Sequence, residues 1–294
     1  MIARRNDFVL FLFVAVAAGW VLASGPWIDG EGLQSALWLH TGAALMMFSP
    51  ALGVLAVWRY RRLSWPALLT QNGLRLGARP RLTVWLMVVA WVGTPLFLWL
   101  AFGLSVVFGV YVFEFQSGET VAAVIVDAVT VATLGTLPFA LGEELGWRGW
   151  LLPQLNNRLG ITGGIVATGV IWALWHAPLT LLGYNYPNLG AWAAVAFIGF
   201  CVPFGAILGW LRMYTGSIWP CAIAHAAFNG SAMLFGLFNS AEHEVNPLYA
   251  GYGFVGWGVL TAIAALLFTW FPVRQVRAKT EAFVPPAHSW PSFG

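Results

Sequence analysis

Charge is what this chain lacks. Only 9% of its 294 residues are Asp, Glu, Lys or Arg, against about 25% in an average soluble domain. So few charges cannot cover a water-facing surface. With a mean hydropathy of +0.77, the composition is that of an integral membrane protein. Cysteine is scarce too: Cys201 and Cys221 both lie in apolar runs. Neither a disulfide framework nor a CxxC metal site is indicated, and both read as small core residues. No internal repeat, low-complexity segment or soluble domain interrupts the pattern. Residues 1–24 carry Arg4 and Arg5 before a long apolar run, and SGPW is a poor cleavage site. This segment reads as an uncleaved first membrane helix, not a signal peptide.

What is present is a series of apolar runs near the roughly 20 residues that cross a bilayer core. The expected fold is all-α and polytopic, with about eight spans near 7–24, 35–58, 82–109, 120–141, 162–182, 190–211, 217–238 and 251–272. The fourth is expected to run on toward Pro153, with Pro138 as a candidate kink. Residues 1–279 form a single membrane domain in this reading, and 280–294, with Pro285, Pro286 and Pro291, a flexible cytoplasmic tail.

Every basic residue falls on one side of these spans. Arg4 and Arg5 precede the first; Arg59, Arg61, Arg62, Arg75, Arg79 and Arg81 lie between the second and third. Arg148 and Arg158 follow the fourth, Arg212 the sixth, and Arg274, Arg277 and Lys279 the eighth. The opposite loops hold Asp29, Glu31, Glu114, Glu119, Glu242 and Glu244. By the positive-inside rule both termini are cytoplasmic, in what is expected to be a prokaryotic plasma membrane. Many of the 18 tryptophans sit near span ends, as interfacial belts require.

An ionisable group at mid-bilayer costs roughly 2.5–3.5 kcal/mol on insertion scales. Glu143, Glu144 and Arg148, in LGEELGWRGWLLP, are therefore conspicuous. Glu144 and Arg148 are four apart and share a helical face, which suits an ion pair. Glu143 points about 100° away and is free to face something else. His176 lies deep in the fifth span. His225 and Asn229, four apart among alanines, project from one face of the seventh. All three sets lie roughly 12–21 Å from the cytoplasmic surface at 1.5 Å per residue. Three separate helices thus bring Glu, His and His/Asn to a similar depth. Asp127, nearer the other face, and His40 read as packing or interfacial residues; His243 and His288 lie in a loop and the tail.

Burial favours the neutral, proton-holding form of a carboxyl group, and a nearby histidine tunes it. Such a pair can take a proton from water and return it to a leaving group. His225 and Asn229 aim two donors at one point, as an oxyanion needs. No Ser or Cys stands in a nucleophile motif. Carboxylate-activated water, and hence amide hydrolysis, fits the set.

The same residues carry a resemblance. GEELGWRG matches an EExxxR motif through Glu143, Glu144 and Arg148. WALWHAP resembles FxxxH, with His176 in place and Trp172 where phenylalanine is usual; Trp172 is read as a packing residue. HAAFN matches HxxxN through His225 and Asn229. The chain thus resembles the CPBP family, the intramembrane glutamic endopeptidases that include type II CAAX prenyl proteases and bacteriocin-processing and self-immunity proteins. The resemblance implies that Glu143 and His176 activate water, His225 and Asn229 hold the oxyanion, and Glu144 and Arg148 support the site. It also implies a polar intramembrane cavity open to the cytoplasmic side, which agrees with the common depth of these residues. The resemblance does not give the substrate; the expectation is a peptide or lipid-modified protein in the bilayer, with no cofactor or metal and no nucleic-acid partner. Two alternatives stand beside it. One is a zinc-dependent protease using Glu143, His176 and His225, although no HExxH spacing favours it. The other is a non-catalytic membrane scaffold or immunity factor. A small transporter would need inverted repeats, which the sequence lacks.

Overall fold

The computed structural model describes residues 3–36, 38–114, 118–232, 235, 238, 240 and 245–273. Among these residues the regular structure is helical, without a strand. The order is α1 (Arg5–Leu22), α2 (Ala43–Tyr60), α3 (Trp65–Gln71), α4 (Pro80–Val107), α5 (Gly118–Asp127), α6 (Thr133–Glu144), α7 (Leu152–Trp175), α8 (Trp192–Thr215), α9 (Trp219–Ala232) and α10 (Phe254–Trp270). π-helical turns interrupt this pattern, notably at Ala128–Ala132 and Leu145–Leu151, on either side of α6.

Five helical stretches are long and apolar enough to cross a membrane. The eight expected spans exceed that number for two reasons. The run Val121–Trp175, 55 residues long, contains two of them. In addition, α9 has 14 described residues and α10 has 17, below membrane length. The long run breaks at Gly160, whose φ of 73° and ψ of 175° are non-helical. A side chain there would strain the backbone, which is why glycine marks the reversal. Helix continues past Pro153, which sits in the first turn of α7, where the missing N–H costs little. Pro138 lies inside α6.

The distribution of polarity is inverted relative to a soluble fold. Phe13, Leu96 and Val131 are 61–70% exposed, while Glu143, Glu144 and Arg148 are at most 1% exposed. Apolar side chains face outward to hydrocarbon and the charges are enclosed by protein, the arrangement a bilayer imposes. One continuous buried cluster takes in Phe11 of α1, Val54 of α2, Leu98 of α4, Trp172 of α7, Phe204 of α8, Ala224 of α9 and Leu260 of α10. Within it α9 packs on α4 and α6, α7 on α8, and α8 on α10. The α7–α8 crossing is close because Gly169 has no side chain: a Cβ there would lie 2.8 Å from the Val202 Cα.

Arg212 and Arg148, read from the sequence as charges on the basic face, are both buried. Arg212 donates from Nε to the Arg148 carbonyl at 3.2 Å and from Nη2 to the Gln71 carbonyl at 3.3 Å. It ties the end of α8 to the π turn and to α3. Asp127 is exposed, as expected of an interfacial residue. The His40 side chain, His243, His288 and the 280–294 tail lie outside the described residues.

Candidate active site

The fold-back at Gly160, within α7, returns Trp172 to Glu143 of α6, and α9 packs against α6. Glu143 and Glu144 occupy the last two positions of α6, immediately before the π turn. Such turns are rare and recur at functional sites, since an extra residue per turn re-aims the side chains around it.

The two carboxylates diverge as the helical offset predicts. Glu144 Oε1 accepts from Arg148 Nη1 at 2.8 Å and from His225 Nδ1 at 2.9 Å. All three side chains are 95% or more enclosed. The expected Glu144–Arg148 pair is present and extends to a third member. The Arg148 guanidinium also lies over the Trp172 ring, 4.1 Å from its centroid.

Glu143 turns to the tryptophans. Its Oε2 accepts from Trp172 Nε1 at 2.8 Å and from Trp147 Nε1 at 3.3 Å. Trp172 is therefore more than a packing residue: its N–H, which phenylalanine lacks, holds the carboxylate. Trp147, fully buried, was not singled out in the sequence. The signal in both cases is a donor-bearing aromatic one helical turn from an acid or a histidine.

His176 caps the end of α7. Its Nδ1 lies 3.0 Å from the Trp172 carbonyl. A carbonyl only accepts, so this contact requires Nδ1–H and leaves Nε2 as an acceptor in the neutral ring. His225 is fixed in the same way by Glu144, with Nε2 left over.

Glu143, His176, His225 and Asn229 all line one cavity of about 110 Å³, with Trp172, Phe200, Phe204 and Phe228 among its apolar walls. It extends to Ala43, Met46 and Met47 of α2 and to Tyr184 and Asn185 in the α7–α8 connection. The volume holds several waters, since one needs roughly 10–15 Å³. Glu144 and Arg148 are not on its wall; they stand behind His225. Among the described residues no group of three His, Cys, Asp or Glu side chains is placed to hold a metal ion.

A family model described as type II CAAX prenyl endopeptidase Rce1-like matches residues 124–231. The chain is also 32% identical over 123 residues to a protein named CAAX prenyl protease 2 from Methanococcus maripaludis. That match covers 40% of this chain and 44% of the relative, so the likeness spans less than half of either. The family-model match falls on the segment that carries Glu143, Glu144, Arg148, His176, His225 and Asn229, and in that segment the chain is similar to type II CAAX prenyl endopeptidases.

Proposed function

We propose that this protein is an intramembrane endopeptidase that hydrolyses a peptide bond in a membrane-associated or prenylated protein, using water activated by Glu143. The observation that carries the reading is the convergence of Glu143, His176, His225 and Asn229, from three separate helices, on one cavity inside the membrane domain.

In the proposed cycle a water sits between Glu143 and the free Nε2 of His176. Glu143 takes one of its protons while the water oxygen attacks the scissile carbonyl carbon. The carbonyl oxygen becomes an oxyanion and meets the Asn229 amide and the Nε2–H of a protonated His225. Glu144 stabilises that imidazolium from the other side, as the carboxylate does in a catalytic triad, and Arg148 holds Glu144 in place. When the carbon–nitrogen bond breaks, Glu143 delivers its proton to the departing amine, leaving an acid and an amine. Trp172 and Trp147 keep the Glu143 carboxylate aimed at the cavity throughout. The apolar walls exclude bulk water, which strengthens each of these contacts.

In this reading the whole chain to residue 279 acts as one membrane domain, with its arginine-rich face toward the cytoplasm. The relative's name includes prenyl protease, which favours lipid-modified substrates delivered from the bilayer.

The test compares membrane peptides from cells carrying the native protein and Glu143→Gln. The substitution preserves shape and removes the base. Precursors should accumulate while the protein remains folded in the membrane. An identical peptide profile in both would point to a scaffold instead. Retention of activity by the purified protein after chelation separates the glutamate mechanism from the zinc alternative.

A further inference from the structure

Next to the cavity, and separated from it by Phe204, α4, α8 and α10 leave a trough of about 410 Å³ between them. Leu86 and Phe97 of α4, Ile207 of α8 and Ile263 of α10 are among its walls, and Gly93 and Ala224 keep it open. Two of its few polar groups are already engaged. The Thr94 hydroxyl donates to the Ala90 carbonyl at 2.8 Å, and Trp210 Nε1 to the Phe271 carbonyl at 2.9 Å. Apart from the Trp85 indole N–H and the Tyr214 hydroxyl, the surface left facing the trough is hydrocarbon. It offers no backbone partners to a peptide, whose polar groups would be stranded there.

One end carries the opposite chemistry. Tyr214, on the trough wall, stacks on Trp210 with centroids 4.6 Å apart. The Arg79 guanidinium lies 5.0 Å from the Tyr214 ring centroid and donates from Nη2 to the Tyr214 carbonyl at 3.1 Å. These contacts fix the cation at the trough's mouth and leave most of its five N–H groups available. Arg81 is also exposed beside it, and among the described residues no carboxylate pairs with either arginine.

We propose that this trough binds one anionic phospholipid, with an acyl chain between α4, α8 and α10 and its phosphate on Arg79, reinforced by Arg81. The occupant follows from charge complementarity: a hydrocarbon groove ending in unneutralised cations at the level of the aromatic belt matches a lipid with a net negative headgroup. Phe204 lines both the trough and the Glu143 cavity, so the bound chain ends one aromatic ring from the proposed active site. The binding itself does not depend on the proteolytic reading.

The full-length protein in neutral detergent is titrated with phosphatidylglycerol and with phosphatidylcholine of the same chains, and adducts are counted by native mass spectrometry. One phosphatidylglycerol should bind per chain, roughly five- to tenfold more tightly than phosphatidylcholine. Arg79→Gln combined with Arg81→Gln should erase the preference. Gly93→Phe should block both lipids. A Cβ at Gly93 meets no atom within 4 Å, so that variant is expected to fold, and thermal unfolding checks it. Equal affinity for the two lipids overturns the proposal, as does undiminished binding by a folded Gly93→Phe protein. So does displacement of the phospholipid by a prenylated peptide, which would make the trough a substrate subsite.

Discussion

The indole nitrogen of Trp172 lies 2.8 Å from Oε2 of Glu143, across the fold-back of the chain at Gly160. A hydrogen bond to a charged group contributes about 1.5–3 kcal/mol. If the carboxylate must be held to work, Trp172→Phe should lower kcat about 10- to 100-fold with KM and thermal stability little changed. Trp147→Phe, which removes the longer 3.3 Å contact, should cost less. Unaltered turnover in Trp172→Phe would make the contact incidental.

The limits of sequence reading follow from which contacts are local. Glu144–Arg148 was legible because four residues on a helix always share a face. His225 and Asn229 were legible on one cavity wall for the same reason. Trp172–Glu143 and His225–Glu144 were not, because they join residues 29 and 81 apart, and helical periodicity does not determine which faces meet. The burial of Arg212 was hidden similarly: its partners are backbone carbonyls of α3 and the π turn, and a carbonyl leaves no mark in a sequence. The Leu145–Leu151 π turn has no composition signal, since its residues also suit an ordinary α-helix. The apolar runs predicted the helices well, because a bilayer leaves a chain little other choice.

Glu144 and Arg148 form a fully enclosed pair 2.8 Å apart. Removing one partner of a buried pair strands the other charge, at about 3–5 kcal/mol. Arg148→Ala should therefore sharply reduce thermal stability in detergent, and Glu144→Ala should do so too. The double variant strands neither charge. Its loss should be smaller than the sum of the two single losses by about 0.5–3 kcal/mol. Strict additivity would show that the two side chains do not support one another.

Gly160 is the joint on which the site depends. Its φ of 73° and ψ of 175° belong to a region that L-residues occupy at a cost of about 1–3 kcal/mol. Gly160→Ala should destabilise the protein by that amount, although open space surrounds the position. Gly93→Ala, inside α4 and equally unobstructed, is the control. It should be neutral or slightly stabilising, because alanine is the better helix former. Equal unfolding temperatures for the two variants would mean that the fold-back is held by packing and not by the glycine.

His225 and Asn229 test the division of labour on the cavity wall. Both line it, but only His225 is bonded to Glu144. Loss of one oxyanion donor commonly costs about 10²- to 10³-fold in kcat, so Asn229→Ala should fall in that range with little change in stability. His225→Ala removes a donor and also the partner of a buried carboxylate. It should lose at least as much activity and, unlike Asn229→Ala, lower the unfolding temperature. The Asn229→Ala, His225→Ala double variant should then lose far less than the product of the single effects, because two donors to one oxyanion act as a unit. Multiplicative losses in steady-state turnover would place the two side chains in separate steps.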